Sequence, residues 1–162
     1  MLAAVVMVPI SGRAQVSEQP YVLPLSLALA AAEEAVHTCA SSGYDVTATV
    51  VDVDGIPKVI LRGDYSTIHT RDTSFRKAYT IVTLGPIFKF DRTSQYVEMV
   101  EHTNNGPALA TMPNIVVLRG GVAIKKGDEI VAGLGVGGAP GDTKDEVCAE
   151  AGVAKIQDRL PH

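Results

Sequence analysis

The chain has 162 residues, of which 46% are hydrophobic and 20% are charged, and its formal net charge is -4. This length and composition fit one globular domain with a substantial core. The negative charge and the absence of any lysine- and arginine-rich run argue against a nucleic-acid-binding surface. No apolar segment reaches the length of a membrane span.

The N-terminal segment, residues 1–22, resembles the end of an export signal followed by a linker. Its apolar run is followed by Gly12-Arg13-Ala14, which places small residues at positions -3 and -1 of a cleavage site, but a basic n-region is missing. A buried N-terminal strand is the alternative. The pattern favours a periplasmic or secreted protein over a cytoplasmic one, with a single domain over residues 23–162.

The first half of that domain reads as a helix followed by a hairpin. Ser26 is a candidate N-cap for a helix that ends near Ser42, with Gly43 as the terminating residue. Residues 46–51 and 58–62 are rich in β-branched side chains and predict two strands, joined through a turn at Asp52-Val53-Asp54-Gly55.

Two helices are predicted next. Thr70 is the candidate N-cap of the first, which Gly85-Pro86 is expected to stop, and the second covers residues 93–102. Beyond them, residues 115–118 form a continuous apolar run typical of a central strand covered on both faces.

Two more strands, residues 122–124 and 129–136, precede the last helix, for which Thr143 and Glu146 form a candidate capping box. Strands joined by tight hairpins are antiparallel, so the element order predicts an α+β domain with five strands. Cys39 and Cys148 both fall on apolar helix faces, and two buried free thiols are favoured over a disulfide.

A glycine-rich elbow lies between the last strand and the last helix. Gly133, Gly135 and Gly138 match the G-x-G-x-x-G pattern of dinucleotide-binding proteins. The context argues against that function, because the first two glycines fall inside the strand and no second parallel strand follows. Two interpretations remain: a helix packs closely on the glycines, or the elbow forms the floor of a ligand pocket.

Several segments resemble the GlcG/HbpS-like haem-binding family over residues 23–160. They are Arg76-Lys77-Ala78-Tyr79-Thr80, Gly120-Gly121-Val122-Ala123-Ile124, the run from Glu129 to Gly141, and Asp145-Glu146 with Ala149 and Ala151-Gly152. The resemblance implies a profilin-like α+β domain with a five-stranded antiparallel sheet, self-association into homo-oligomers, and haem binding, storage, sensing or degradation. The chain departs from the family at Gly137, where relatives usually have serine.

If haem is the cofactor, an imidazole is a suitable iron ligand and basic side chains suit the propionates. His69 is the first choice, because Arg71, Arg76 and Lys77 follow it closely. His37 and His102 are the alternatives. Gly135, Gly137 and Gly138 are expected to form a wall of the same cavity as His69 and Lys77.

Lys77 also suggests a different function. A partly buried lysine needs a carboxylate, and Asp145 or Glu146 at the start of the last helix is the natural partner. Such a pair in a pocket acts as acid and base, so a small cofactor-independent enzyme for an organic acid or aldehyde is the second hypothesis. A protein-interaction module without a ligand is the third.

Overall fold

In a computed structural model, residues 21–160 are described, and they form an antiparallel sheet with helices on both faces. The predictions made for residues 1–20 lie outside these described residues. None of the described helices is long and apolar enough to cross a membrane. The elements in chain order are α1 (Leu25–Ser41), β1 (Thr47–Asp52), β2 (Pro57–Arg62), α2 (Thr70–Phe88), α3 (Thr93–Glu101), α4 (Gly106–Leu109), β3 (Gly121–Lys126), β4 (Glu129–Gly137) and α5 (Asp142–Gln157).

The sheet has four strands in the order β2-β1-β4-β3, and all neighbours are antiparallel. Helix α2 lies on one face, over β1, β4 and β3, while α1 and α5 pack side by side on the other face. A separate apolar core fills each of the two spaces between helices and sheet. The predicted antiparallel α+β architecture is confirmed.

The prediction of a fifth strand at residues 115–118 is wrong. This segment is extended but pairs with α2 rather than with the sheet: the Ile115 carbonyl accepts a hydrogen bond from Arg76, and the Val116 N–H donates to Thr80 Oγ1. Its apolar side chains Ile115 and Val117 belong to the core under α2. The run is therefore apolar because it covers a helix.

Helix boundaries also differ from the prediction. Helix α2 continues through Pro86 to Phe88 and ends at Lys89, which adopts a left-handed conformation with φ 60°. The proline removes one helical hydrogen bond near the end of the helix, so it is tolerated there. The predicted capping box of α5 is absent, because Glu146 turns to other partners.

The two cysteines form a disulfide, which corrects the prediction of free thiols. Cys39 on α1 and Cys148 on α5 have Cα atoms 5.6 Å apart and are 0% and 3% exposed. The side-by-side packing of α1 and α5 brings them together across 109 residues of sequence. Spacing in the chain did not reveal this contact, because it depends on which helices share a face of the sheet.

The disulfide should contribute strongly to stability, because it closes a long loop in the unfolded chain. We expect the Cys39→Ala/Cys148→Ala variant to lose about 2–5 kcal/mol of unfolding free energy. Urea unfolding of the variant and of the oxidised native protein measures this difference. Equal urea midpoints would contradict the expectation.

Close packing of α2 explains the glycine-rich stretch of β4. Gly133, Gly135 and Gly137 alternate along the strand and face α2. A Cβ atom at Gly133 would lie 2.5 Å from the Ala78 carbonyl oxygen, and one at Gly135 would collide with the Ser74 carbonyl. These glycines let a helix backbone lie directly on the sheet, which is the first of the two interpretations of the motif.

Enlarging the central glycine should therefore force α2 away from the sheet. We expect Gly135→Ala to lower the unfolding free energy by about 1–3 kcal/mol, or more, because backbone atoms rather than a flexible side chain occupy the space. Chemical denaturation measures the loss. A variant as stable as the native protein would show that the helix can move outward freely.

Candidate functional site

An open groove lies between α2 and β2, and it follows from the position of α2 on the sheet. The helix covers the other three strands and leaves the edge strand β2 uncovered on that face. Two adjoining depressions, of about 610 and 220 Å³, share Arg71 and Asp72 and together make this groove. We call it the α2–β2 groove. Its lining residues are Pro57, Ile60, Arg62, Ile68, His69, Arg71, Asp72 and Phe75.

The floor and rim of the groove carry apolar side chains that water can reach. Ile60 on β2 is 46% exposed, and Ile68 in the loop between β2 and α2 is 89% exposed. Phe75 is half-buried and contacts Tyr79 one helical turn later, with 5.6 Å between ring centroids. Exposed apolar side chains gathered beside an edge strand are typical of a surface that binds something.

Three basic groups stand at one end of the groove. Arg71 is paired with Asp72, its Nη2 atom 3.0 Å from Oδ1. Arg62 donates from Nε to the Ser66 carbonyl at 2.9 Å and also donates to it from Nη2. His69 is exposed, and its Nδ1 lies 3.2 Å from Thr67 Oγ1, which leaves Nε2 for another partner.

The other predicted site residues lie elsewhere. Gly135 and Gly137 face α2, and Gly138 faces the backbone of Asp45 and Val46. The Ala139 amide of the elbow donates to Asp145 Oδ1 at 2.9 Å. The prediction that the elbow, His69 and Lys77 share one cavity is therefore wrong. The Gly138 and Ala139 amides are used by the Asp145 carboxylate, so they are not free to hold a ligand.

Arg76 and the alternative histidines also lie outside the groove. The Arg76 Nη2 atom donates to the Ile115 carbonyl at 2.6 Å, which commits this side chain to holding the extended segment over α2. His37 lies on α1, on the opposite face of the sheet, and His102 is the C-cap of α3. Among the predicted iron ligands and propionate partners, the groove contains His69 and Arg71.

Lys77 and Asp145 form the predicted ion pair. Their Nζ and Oδ2 atoms are 2.6 Å apart, and the two side chains are only 2% and 4% exposed. Lys77 Nζ also donates to the Val136 carbonyl at 2.8 Å. Burial raises the pKa of the Asp145 carboxyl above its usual value of 3.8, although Lys77 and two backbone N–H groups oppose the shift.

Glu146 is buried beside this pair, and its contacts are all to the fold. Its Oε2 atom accepts hydrogen bonds from the Ser94 N–H at 3.0 Å, from the Gly120 N–H at 3.2 Å and from the Thr93 hydroxyl at 3.4 Å. The carboxylate therefore connects the start of α5 to the start of α3 and to the segment before β3. Such an arrangement fixes the loops that it joins.

The buried pair should behave as a unit in a mutant cycle. We expect Lys77→Met or Asp145→Asn alone to cost about 3–5 kcal/mol of unfolding free energy, because each leaves one buried charge without its partner. The double variant should cost less than either single change, since burial outweighs the attraction between the charges. Urea unfolding of the four proteins tests this, and additive losses would contradict it.

Sequence reasoning missed Arg62, Ile60, Ile68 and Phe75 as groove residues. The available signal was in β2, where Val59, Ile60 and Leu61 are three consecutive apolar residues. Both faces of such a strand carry apolar groups, and a strand at the edge of a sheet exposes one of them.

The fold and the groove define a small α+β domain with an amphiphilic cleft beside an edge strand. The family model for "Haem degrading protein HbpS-like" matches residues 23–154. The chain therefore belongs to the HbpS-like family. A search of curated proteins found no match.

Solved structures agree with this assignment. A double mutant of HbpS from Streptomyces reticuli is 32% identical, with a TM-score of 0.77 and coverage of 97% of this chain and 99% of that chain. The protein ORFY from Klebsiella pneumoniae is 20% identical, with a TM-score of 0.77 and coverage of 93% and 100%. A PduOC–haem complex is 21% identical, with a TM-score of 0.72 and coverage of 84% and 96%. The last two support the fold alone.

Proposed function

We propose that this protein binds haem or a closely related tetrapyrrole in the α2–β2 groove. Membership of a family described by haem degradation supports the ligand class, and one structural neighbour was solved as a haem complex. The observation that carries the location is the combination of exposed apolar side chains and basic groups in a single groove.

The chemistry of the groove matches that of haem, which is a flat apolar ring with two carboxylates and an iron atom. Ile60, Ile68 and Phe75 are the apolar groups against which the ring packs. Arg62 and Arg71 are the partners for the carboxylates, since arginine binds carboxylates through parallel hydrogen bonds. His69 Nε2 is the iron ligand.

The competing enzyme hypothesis depends on Lys77 and Asp145, and their burial weakens it. With 2% and 4% of their side chains exposed, neither group is within reach of a substrate in this structure. Lys77 is instead committed to Val136 and Asp145. No specific observation favours acid–base catalysis by this pair, so haem binding is the function that the geometry supports best.

Two further proposals concern where and how the protein works. We propose that it acts in an oxidising compartment, periplasmic or extracellular, because buried structural disulfides form and persist there. Self-association into homo-oligomers stays a prediction from the family resemblance.

Haemin titration tests the function. We expect a saturable, shifted Soret band at one haem per chain, and we expect His69→Ala to lose the shifted band or weaken binding by about tenfold or more, because an axial ligand is removed. His102→Ala is the matched control, since it removes another exposed histidine far from the groove. His37→Ala is the second control.

Uptake of haemin that does not saturate, or that no histidine variant changes, would contradict the proposal, because haem adsorbs to many apolar surfaces. Loss of binding in His102→Ala or His37→Ala alone would move the site away from the groove. Following the complex after addition of ascorbate separates storage from degradation, since degradation abolishes the Soret band.

A further inference from the structure

We infer that Arg62 selects ligands that carry a carboxylate, and that a buried cluster of three hydroxyl groups on Thr47, Ser66 and Thr70 positions its guanidinium group. This inference rests on the proposed function, because it assigns the residue that recognises the acid groups of the tetrapyrrole. It concerns residues that neither the family match nor the sequence motifs single out.

The two arginines of the groove differ in their existing partners. Arg71 is already paired with the carboxylate of Asp72, and both side chains are 67% exposed, so its charge is largely compensated and screened. Arg62 contacts a neutral carbonyl, that of Ser66, and among residues 21–160 no carboxylate lies within ion-pair distance of it. The uncompensated positive charge in the groove therefore belongs to Arg62.

The carbonyl that holds Arg62 belongs to a residue with a rigidly held side chain. Ser66 Oγ lies 3.0 Å from Thr47 Oγ1 and 2.7 Å from Thr70 Oγ1, and the two threonine hydroxyls are 2.7 Å apart. All three residues are at most 1% exposed. Thr70 Oγ1 also donates to the Thr67 carbonyl at 2.6 Å, which fixes the loop at a second point.

The cluster joins three elements at the end of the groove. Thr47 is on β1 directly opposite Arg62 of β2, Ser66 is in the loop after β2, and Thr70 is the first residue of α2. A loop anchored in this way holds the Ser66 carbonyl at a fixed position beside the edge strand. The same loop carries Ile68 and His69, so the cluster also sets where those side chains emerge.

Two N–H groups of Arg62 are used by the Ser66 carbonyl, one on Nε and one on Nη2. A guanidinium has five donors, so three remain for a ligand. Holding a long side chain in place before binding saves about 0.5–1.5 kcal/mol of ordering, which is about a twofold to tenfold gain in affinity. Arg62 is thus the binding group, and Thr47 and Ser66 are positioning residues.

The chain contains a matched control for the cluster. Thr49 Oγ1 and Ser74 Oγ form a hydroxyl pair 2.8 Å apart between β1 and α2, and both residues are fully buried. Thr49 is two residues from Thr47 on the same strand and the same face. Its pair resembles the cluster in burial and chemistry but makes no hydrogen bond with Ser66 or Arg62.

The experiment compares haemin, haemin dimethyl ester and metal-free protoporphyrin IX as ligands. The ester lacks the free carboxylates, and protoporphyrin IX lacks the iron. In the native protein we expect haemin to bind more tightly than its ester, because the two differ only in the free carboxylates, while protoporphyrin IX reports separately on the loss of the iron. The acid preference is the Kd of the ester divided by the Kd of haemin. Arg62→Gln should reduce this ratio about tenfold or more, and Arg71→Gln should reduce it about threefold or less.

The positioning step has its own variants and a readout that needs no ligand. Thr47→Val should reduce the preference for acids about twofold to tenfold, and Thr47→Ser should restore it, because serine keeps the hydroxyl. Thr49→Val should leave the preference unchanged. In the free protein, the Arg62 Nε–H should give an exchange-protected NMR signal that Thr47→Val abolishes and Thr49→Val retains.

The outcomes separate this inference from the proposed function. Saturable binding with the same acid preference in Arg62→Gln would overturn the role of Arg62 and leave haem binding intact. Equal loss in Thr47→Val and Thr49→Val, or an unchanged Arg62 signal in Thr47→Val, would overturn the positioning role. Failure of all three ligands to bind saturably would overturn both proposals.

Discussion

The close approach of α2 to the glycine face of β4 is the contact on which the rest of the structure depends. Because Gly133, Gly135 and Gly137 have no side chains, the backbone of α2 packs directly on β4. The helix is therefore centred over β4 and contacts β1 and β3 on either side. A single helix does not cover four strands, and the edge strand β2 is left open. The α2–β2 groove is thus a geometric consequence of glycines on a different strand.

The same approach brings a lysine of α2 into the interior, where it meets Asp145 at the start of α5. Taking both charges out of water is unfavourable, and burial raises the pKa of Asp145 although Lys77 opposes the shift. What the pair and the neighbouring Glu146 provide is a defined arrangement: they connect the end of β4, the start of α5 and the segment before β3. These contacts give Lys77, Asp145 and Glu146 a structural role in this fold.

Local patterns were sufficient to predict most elements, because helical and strand periodicity depends on neighbouring residues. The hairpin through Asp52-Val53-Asp54-Gly55 was predictable in this way. The pairing of Lys77 was predicted from charge instead, with Asp145 or Glu146 as the partner, and the structure selects Asp145. The segment at residues 115–118 was not predictable, since an apolar extended run packs equally well on a sheet or on a helix. The disulfide was missed for a related reason. Whether Cys39 meets Cys148 depends on which helices pack together, and helix periodicity does not determine that.

In the candidate site too, residues that are close in sequence were predicted, and a residue that the fold brings in from another strand was not. His69 was recognisable because Arg71 follows it in the sequence. Arg62 instead enters the groove from β2 and donates to the Ser66 carbonyl, and the Ser66 side chain is in turn held by the hydroxyls of Thr47 and Thr70. Its position on an open edge strand also has a structural purpose, because charged residues on such edges discourage pairing with other chains. A basic residue at this position protects the edge, and under the proposed function it also offers a charge to an acidic ligand, so one side chain meets both requirements.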